Sequence, residues 1–187
     1  VSEANIDNGY AGVSFAALMA VGQMRDTAAL EQARLRSEDS DPNVRIAALF
    51  ALHRLGDQRR TTELSQYLLS HKDARVRANA AVAIGRMEEP KSIKLLRTAL
   101  RREKKDAVTM QILEALAMLG DSHGVERLKM YGFSAVPDQS ALALMCLANA
   151  KNSEADELFR FRLSVADHPE IKLQAARGLG RLGYPDG

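Results

Sequence analysis

Apolar and polar positions along this chain recur in a fixed register. Small residues or their replacements stand at Gly22, His53, Gly85, Ala117, Ala148 and Gly180, in steps of 31 or 32 residues. Five positions before these anchors come Ala17, Ala48, Ala80, Ile112, Ala143 and Ala175, and one position before come Val21, Leu52, Ile84, Leu116, Leu147 and Leu179. Two positions after come Met24, Leu55, Met87, Leu119, Ala150 and Leu182. Val13, Val44, Val76, Val108 and Ile171 add an apolar residue nine positions before, with Gln139 as the exception. These offsets share one face of a helix at 3.6 residues per turn. A unit of this length can bury that face only against its neighbours, which makes the pattern that of a stacked-repeat solenoid.

Each repeat predicts two helices. The second opens on a polar or Pro-containing turn (Asp41-Pro42, Asp73-Ala74, Asp106-Ala107, Pro137-Asp138, His168-Pro169), where Asp can accept from an unpaired first-turn N–H and Pro presets the helical φ. Leu55-Gly56-Asp57, Leu119-Gly120-Asp121 and Leu182-Gly183 then supply glycine for a left-handed cap. The spacing predicts helices over 12–24, 26–37, 42–55, 59–70, 74–87, 90–102, 106–119, 122–132, 138–149, 153–164 and 169–182. Strand alternation is absent, and Ala-rich runs such as Ala78 to Ala83 favour helix. The fold class is therefore all-α, with about six two-helix repeats filling one continuous domain over 1–187.

Composition narrows the function classes. A chain that is 46% apolar but only 5% aromatic, with no Trp, builds its core from Ala, Leu and Met. A net charge of +2 gives no whole-protein reason to bind nucleic acid or membrane. One cysteine excludes an intrachain disulfide, and no apolar run is long enough to span a bilayer. The polar start VSEANIDNGY does not read as a signal peptide, so no targeting segment is expected and the compartment stays open.

The segments DPNVRIAALFALHRLGD (Asp41 to Asp57) and DARVRANAAVAIGRMEEP (Asp73 to Pro90) resemble the short HEAT-like repeat of about thirty residues that is named after phycobilisome lyases. Val44-Arg45 and Val76-Arg77 match its Val-Arg step fully and Ile171-Lys172 conservatively, whereas Val13-Ser14, Val108-Thr109 and Gln139-Ser140 match poorly. The resemblance implies a right-handed superhelix whose second helices line a concave face, and a scaffold for other proteins. Some relatives are metal-dependent hydroxylases with His-Glu pairs, but here His53, His71, His123 and His168 precede Arg54, Lys72, Gly124 and Pro169. Relatives that act as glycosylases hold bases with Trp, which this chain lacks. No catalytic residue, metal site or cofactor is expected, and a lyase-like or enzyme accessory subunit is the third reading.

Two surfaces carry the functional expectation. Positions ten, six and three before each anchor and one after it share a stripe displaced from the core. That stripe places Met19, Phe50, Arg54, Arg75, Asn79, Val82, Arg86, Glu114, Met118, Met145, Arg177 and Arg181 on the concave side as partner-binding residues. Apolar anchors bordered by Arg suit a protein interface. The alternative is the segment Lys91 to Lys105, with seven basic residues and one acidic. Lys94, Arg97 and Arg101 share a face at i, i+3 and i+7, and Arg102, Lys104 and Lys105 extend the charge, so nucleic acid or an anionic surface could bind there.

Cys146 replaces a small core residue, so a buried thiol is expected. Arg45, Arg77 and Lys172 are expected to bridge units by reaching acidic turn residues such as Asp41 and Asp73. The residues before Gly12 lack the spacing of a partner helix, and the chain stops at Tyr184-Pro185-Asp186-Gly187. Both ends are therefore expected to be unfinished faces of a longer protein, or of an end-on assembly.

Overall fold

The computed structural model describes residues 3–7 and 9–184, and every regular element among them is helical. The chain divides into two compact units, Val1–Glu89 and Pro90–Gly187. The first holds α1 (Glu3–Ile6), α2 (Ala11–Met24), α3 (Leu30–Arg36), α4 (Pro42–Arg54), α5 (Glu63–Ser70) and α6 (Ala74–Arg86). The second holds α7 (Ile93–Arg102), α8 (Asp106–Met118), α9 (Ser122–Gly132), α10 (Pro137–Ala150), α11 (Asp156–Val165) and α12 (Pro169–Leu182). Within the first unit α2, α4 and α6 stack in succession, backed by α3 and α5. Within the second, α8, α10 and α12 stack the same way, backed by α7, α9 and α11. This is an all-α repeat solenoid.

Local chemistry accounts for the helix starts. The carboxylates of Asp41 and Asp73 accept from the N–H of Asn43 at 2.7 Å and of Arg75 at 2.8 Å. Asp106 differs from the expected cap: it is the first residue of α8, while Glu103 accepts from the N–H groups of Lys104 and Lys105 ahead of it. Gly56 and Gly120 close α4 and α8 at φ +96° and +78°, a region where a Cβ would be strained. The helix expected from residue 59 begins only at Glu63. Arg59 and the turn around it are held back by Asp57, which accepts from Arg59 Nε at 2.9 Å.

The arginines eight positions before the anchors do bind the preceding turn, but through its carbonyls. Arg77 Nη1 donates to the carbonyls of His71 at 2.8 Å and Lys72 at 3.1 Å. Arg45 repeats this on Asp39 and Ser40, and its Nε donates to Tyr67 Oη at 2.7 Å. The sequence-based choice of Asp41 and Asp73 as their partners fails because both carboxylates face forward to cap their own helices. Residues ahead of α2 also depart from the expectation. Ile6 at the end of α1 is fully buried, and its carbonyl accepts from Arg36 Nε at 3.1 Å.

Shape matching sets the distance between helices. Gly22 of α2 lies against the Phe50 ring of α4, and a Cβ on it would stand 2.5 Å from Phe50 Cε1. Gly178 of α12 meets the Phe159 ring of α11 at the same 2.5 Å. His53 fills its anchor position as a buried polar side chain, with Nδ1 3.3 Å from Thr61 Oγ1 and Nε2 3.5 Å from Glu89 Oε1. Cys146 is fully buried, and burial, followed by the charge of Glu114, pushes its thiol well above the ordinary range. Iodoacetamide should therefore leave Cys146 unmodified in the folded chain and alkylate it promptly in urea. Equal labelling rates in both conditions would contradict its position.

Candidate interaction surfaces

The expected concave stripe separates into three kinds of residue. Met19, Phe50 and Glu114 are buried and cannot meet a partner. For Phe50 the reason is Gly22, whose missing side chain leaves the space the ring fills. For Glu114 it is a polar contact with α10, described below.

A second group ties consecutive second helices together. In the first unit Asn79 Nδ2 of α6 donates to Asn43 Oδ1 of α4 at 2.9 Å, and Arg54 Nη1 donates to Glu88 Oε2 at 2.9 Å. In the second unit Asn149 Nδ2 of α10 donates to Glu114 Oε1 of α8 at 3.0 Å. Arg181 Nη1 of α12 donates in turn to Asn149 Oδ1 at 2.9 Å. Gln111 Nε2 reaches Cys146 Sγ at 3.7 Å beside this ladder. Arg86 is half-buried and also engaged in a polar contact.

The third group keeps surface available. Arg75 and Arg177 are exposed, and Val82, Met118, Leu142 and Met145 are half-buried. Met118, Leu142, Met145 and Arg177 lie on α8, α10 and α12 of the second unit, while Arg75 and Val82 lie on α6 of the first.

The basic segment gains a geometry that the sequence did not reveal. Arg97 of α7 is fixed by Asp121, whose carboxylate accepts from its Nε at 2.8 Å and forms an ion pair with its Nη2 at 2.7 Å. Asp121 has a side chain 2% exposed and also caps α9, accepting from the N–H of Gly124 at 3.0 Å. The Arg97 side chain remains 50% exposed and forms a wall of two shallow grooves. One, of about 430 Å3, is lined by Arg97, Leu100 and Arg101 of α7 with His123 and Arg127 of α9. The other, of about 630 Å3, runs along α7 past Ile93, Lys94, Thr98 and Arg101. Among the described residues no carboxylate pairs with Lys94, Arg101 or Arg127, nor with Arg102, Lys104 or Lys105 at the exposed end of the segment. Arg127 was not singled out by sequence, and His123 was read there only as a histidine without an adjacent Glu. Their spacing of four on the polar side of α9 was the available signal.

A third cavity, of about 400 Å3 in the first unit, is lined by Arg34, Glu38, Asp57, Arg59 and Arg60 among others. Its charges cancel locally. Arg34 and Arg59 pair with Asp57, and Arg60 pairs with Glu38 and Glu63. The hydrogen bond from Arg59 holds the Asp57 carboxyl well below the usual carboxylate range. Among the described residues no cluster of His, Cys, Asp and Glu could hold a metal ion, and no helix is long and apolar enough to cross a membrane.

No curated protein matches the chain. Similar solved structures include an engineered protein, 16% identical, with 95% of this chain and 93% of that one covered and a TM-score of 0.42. Human deoxyhypusine hydroxylase in complex with glycerol is 15% identical over 94% of this chain and 81% of that one, with a TM-score of 0.42. A second engineered protein is 18% identical over 95% and 56%, with a TM-score of 0.42. Residues 61–131, from the turn before α5 into α9, match the family model described as HEAT repeats, and this stretch of the chain is HEAT-like.

Proposed function

We propose that this chain is a non-catalytic interaction module that presents its second helices to another polypeptide, either a partner or a further domain of the same protein. HEAT repeats generally serve as protein-interaction scaffolds, and the segment 61–131 carries them here. The observation that supports the reading most is the half-buried trio Met118, Leu142 and Met145 on α8 and α10, with exposed Arg177 on α12 of the same unit. Methionine is unbranched and polarizable, so such a surface can adapt to a partner side chain, and Arg at its margin suits an interface rim. The ionisable groups buried nearby, Glu114 and Cys146, are engaged with Asn149 and Gln111. No observation favours the lyase-type accessory role that the sequence resemblance also allows.

Photo-cross-linking tests the proposal. A benzophenone side chain placed at Met145 is expected to capture one discrete polypeptide in an extract of the source cells. The same group at Arg59, on the exposed side of the first unit, should capture none. Adding Met118→Lys should abolish capture without lowering the melting temperature appreciably. Equal capture from both positions, or none from Met145, would remove the second helices as the binding face.

A further inference from the structure

We propose that the α7–α9 face is a separate docking groove for an acidic polypeptide segment that carries leucine-like side chains between its carboxylates. Three features of the face combine to select this chemistry. The first is uncompensated charge. Lys94, Arg101 and Arg127 line the two grooves with no carboxylate pairing with them among the described residues. In the first unit, the cavity beside Asp57 shows the contrasting arrangement, where every lining arginine has an acidic partner.

The second feature is a fixed guanidinium. Arg97 donates a hydrogen bond to, and forms an ion pair with, a buried carboxylate that is itself fixed by capping α9. Its exposed edge stands ready at the groove wall, so less side-chain freedom is lost when a carboxylate arrives. The third is the floor. Leu100 and Ile93 are half-buried in the two grooves, between the cations. Apolar contact area ringed by Arg is the composition of a protein interface core and rim.

A nucleic acid fits less well. Strong, sequence-tolerant binding of single strands uses large aromatic rings on which bases stack, and neither groove has a Phe, Tyr or Trp among its lining residues. A duplex needs a long track of phosphate contacts, whereas α7 spans only about 15 Å. An anionic membrane offers charge but no side chain for the Leu100 floor. The partner is therefore a peptide segment, recognised by its carboxylates at the rim and its apolar residues between them.

The test uses the full chain and a fluorescein-labelled peptide of glutamates interspersed with leucines, followed by fluorescence anisotropy. Binding that weakens with added salt is expected. The double variant Lys94→Glu/Arg127→Glu should weaken it roughly tenfold, because two attractive rim charges become repulsive. Both side chains lie outside the core, and an unchanged melting curve confirms that the variant is folded. As a second variant, Leu100→Ala should lower affinity for the leucine-bearing peptide but not for an all-glutamate peptide. The Met118→Lys protein should keep full affinity, so the fate of this groove is separable from that of the second-helix surface. The proposal is overturned if the peptide does not bind or if binding ignores the charge reversal. It is equally overturned if a single-stranded oligonucleotide or phosphatidylserine vesicles bind more tightly than the peptide.

Discussion

Phe50→Ala is expected to lower the stability of the chain by about 3 to 5 kcal/mol, the range for removing a fully buried aromatic ring. Urea denaturation followed by circular dichroism would measure it. The size of the effect follows from the fit between α4 and α2: the ring fills the space over Gly22, so its removal leaves a void that a helix backbone cannot collapse into. Gly22→Ala should itself cost about 1 to 3 kcal/mol by pressing a methyl into the ring. Combined with Phe50→Ala it should cost less than the sum, because the closest contacts disappear with the ring and only the Ala51 backbone at 3.1 Å remains. Additive costs, or a Phe50→Ala protein as stable as the parent, would mean that the ring does not occupy this space. A substitution at exposed Arg75 should stay within about 0.5 kcal/mol.

The second large effect is expected at Asp121. Asp121→Ala should destabilise by about 2 to 3 kcal/mol, of which the lost cap of α9 accounts for about 1. The rest comes from the broken pair with Arg97, discounted because half of that side chain sits in water. Asp121→Asn keeps an oxygen to accept from the N–H of Gly124 and should cost clearly less than alanine. If the two variants melt together, capping is not the main role of this carboxylate.

The repeat register was legible because it depends on local rules. Apolar spacing, capping Asp, and glycine after Leu place α4, α6, α8 and α12 within a few residues of their observed bounds. Elements that follow other rules were harder to read. The α1 turn is too short for a period to register, and Ile6 announces itself as core only when Arg36 reaches its carbonyl. The stripe of candidate binding residues failed at a specific point. Whether the residue three before an anchor is buried depends on the side chain it meets on the neighbouring helix, which lies about one period away in sequence. Phe50 is core because residue 22 is glycine, while Met145, at the same register position, stays half-buried. Glu114 misleads in the opposite sense: a carboxylate reads as surface, and the amide of Asn149 across from it helps to make its burial tolerable. In the basic segment, charge was visible in the sequence, but the fixing of Arg97 by a residue 24 positions later was not.

The ladder that joins Glu114, Asn149 and Arg181 affects how the second helices meet anything that approaches them. A visitor that offers a group to buried Glu114 or to Asn149 competes with a hydrogen bond already made. That exchange is close to neutral, so these two rungs neither attract nor hold it. Towards a visiting chain the face therefore behaves as drier than its composition suggests. Discrimination between visitors falls to the shape of the methionine and leucine side chains between the rungs, where a wrong contour has no polar contact to compensate it.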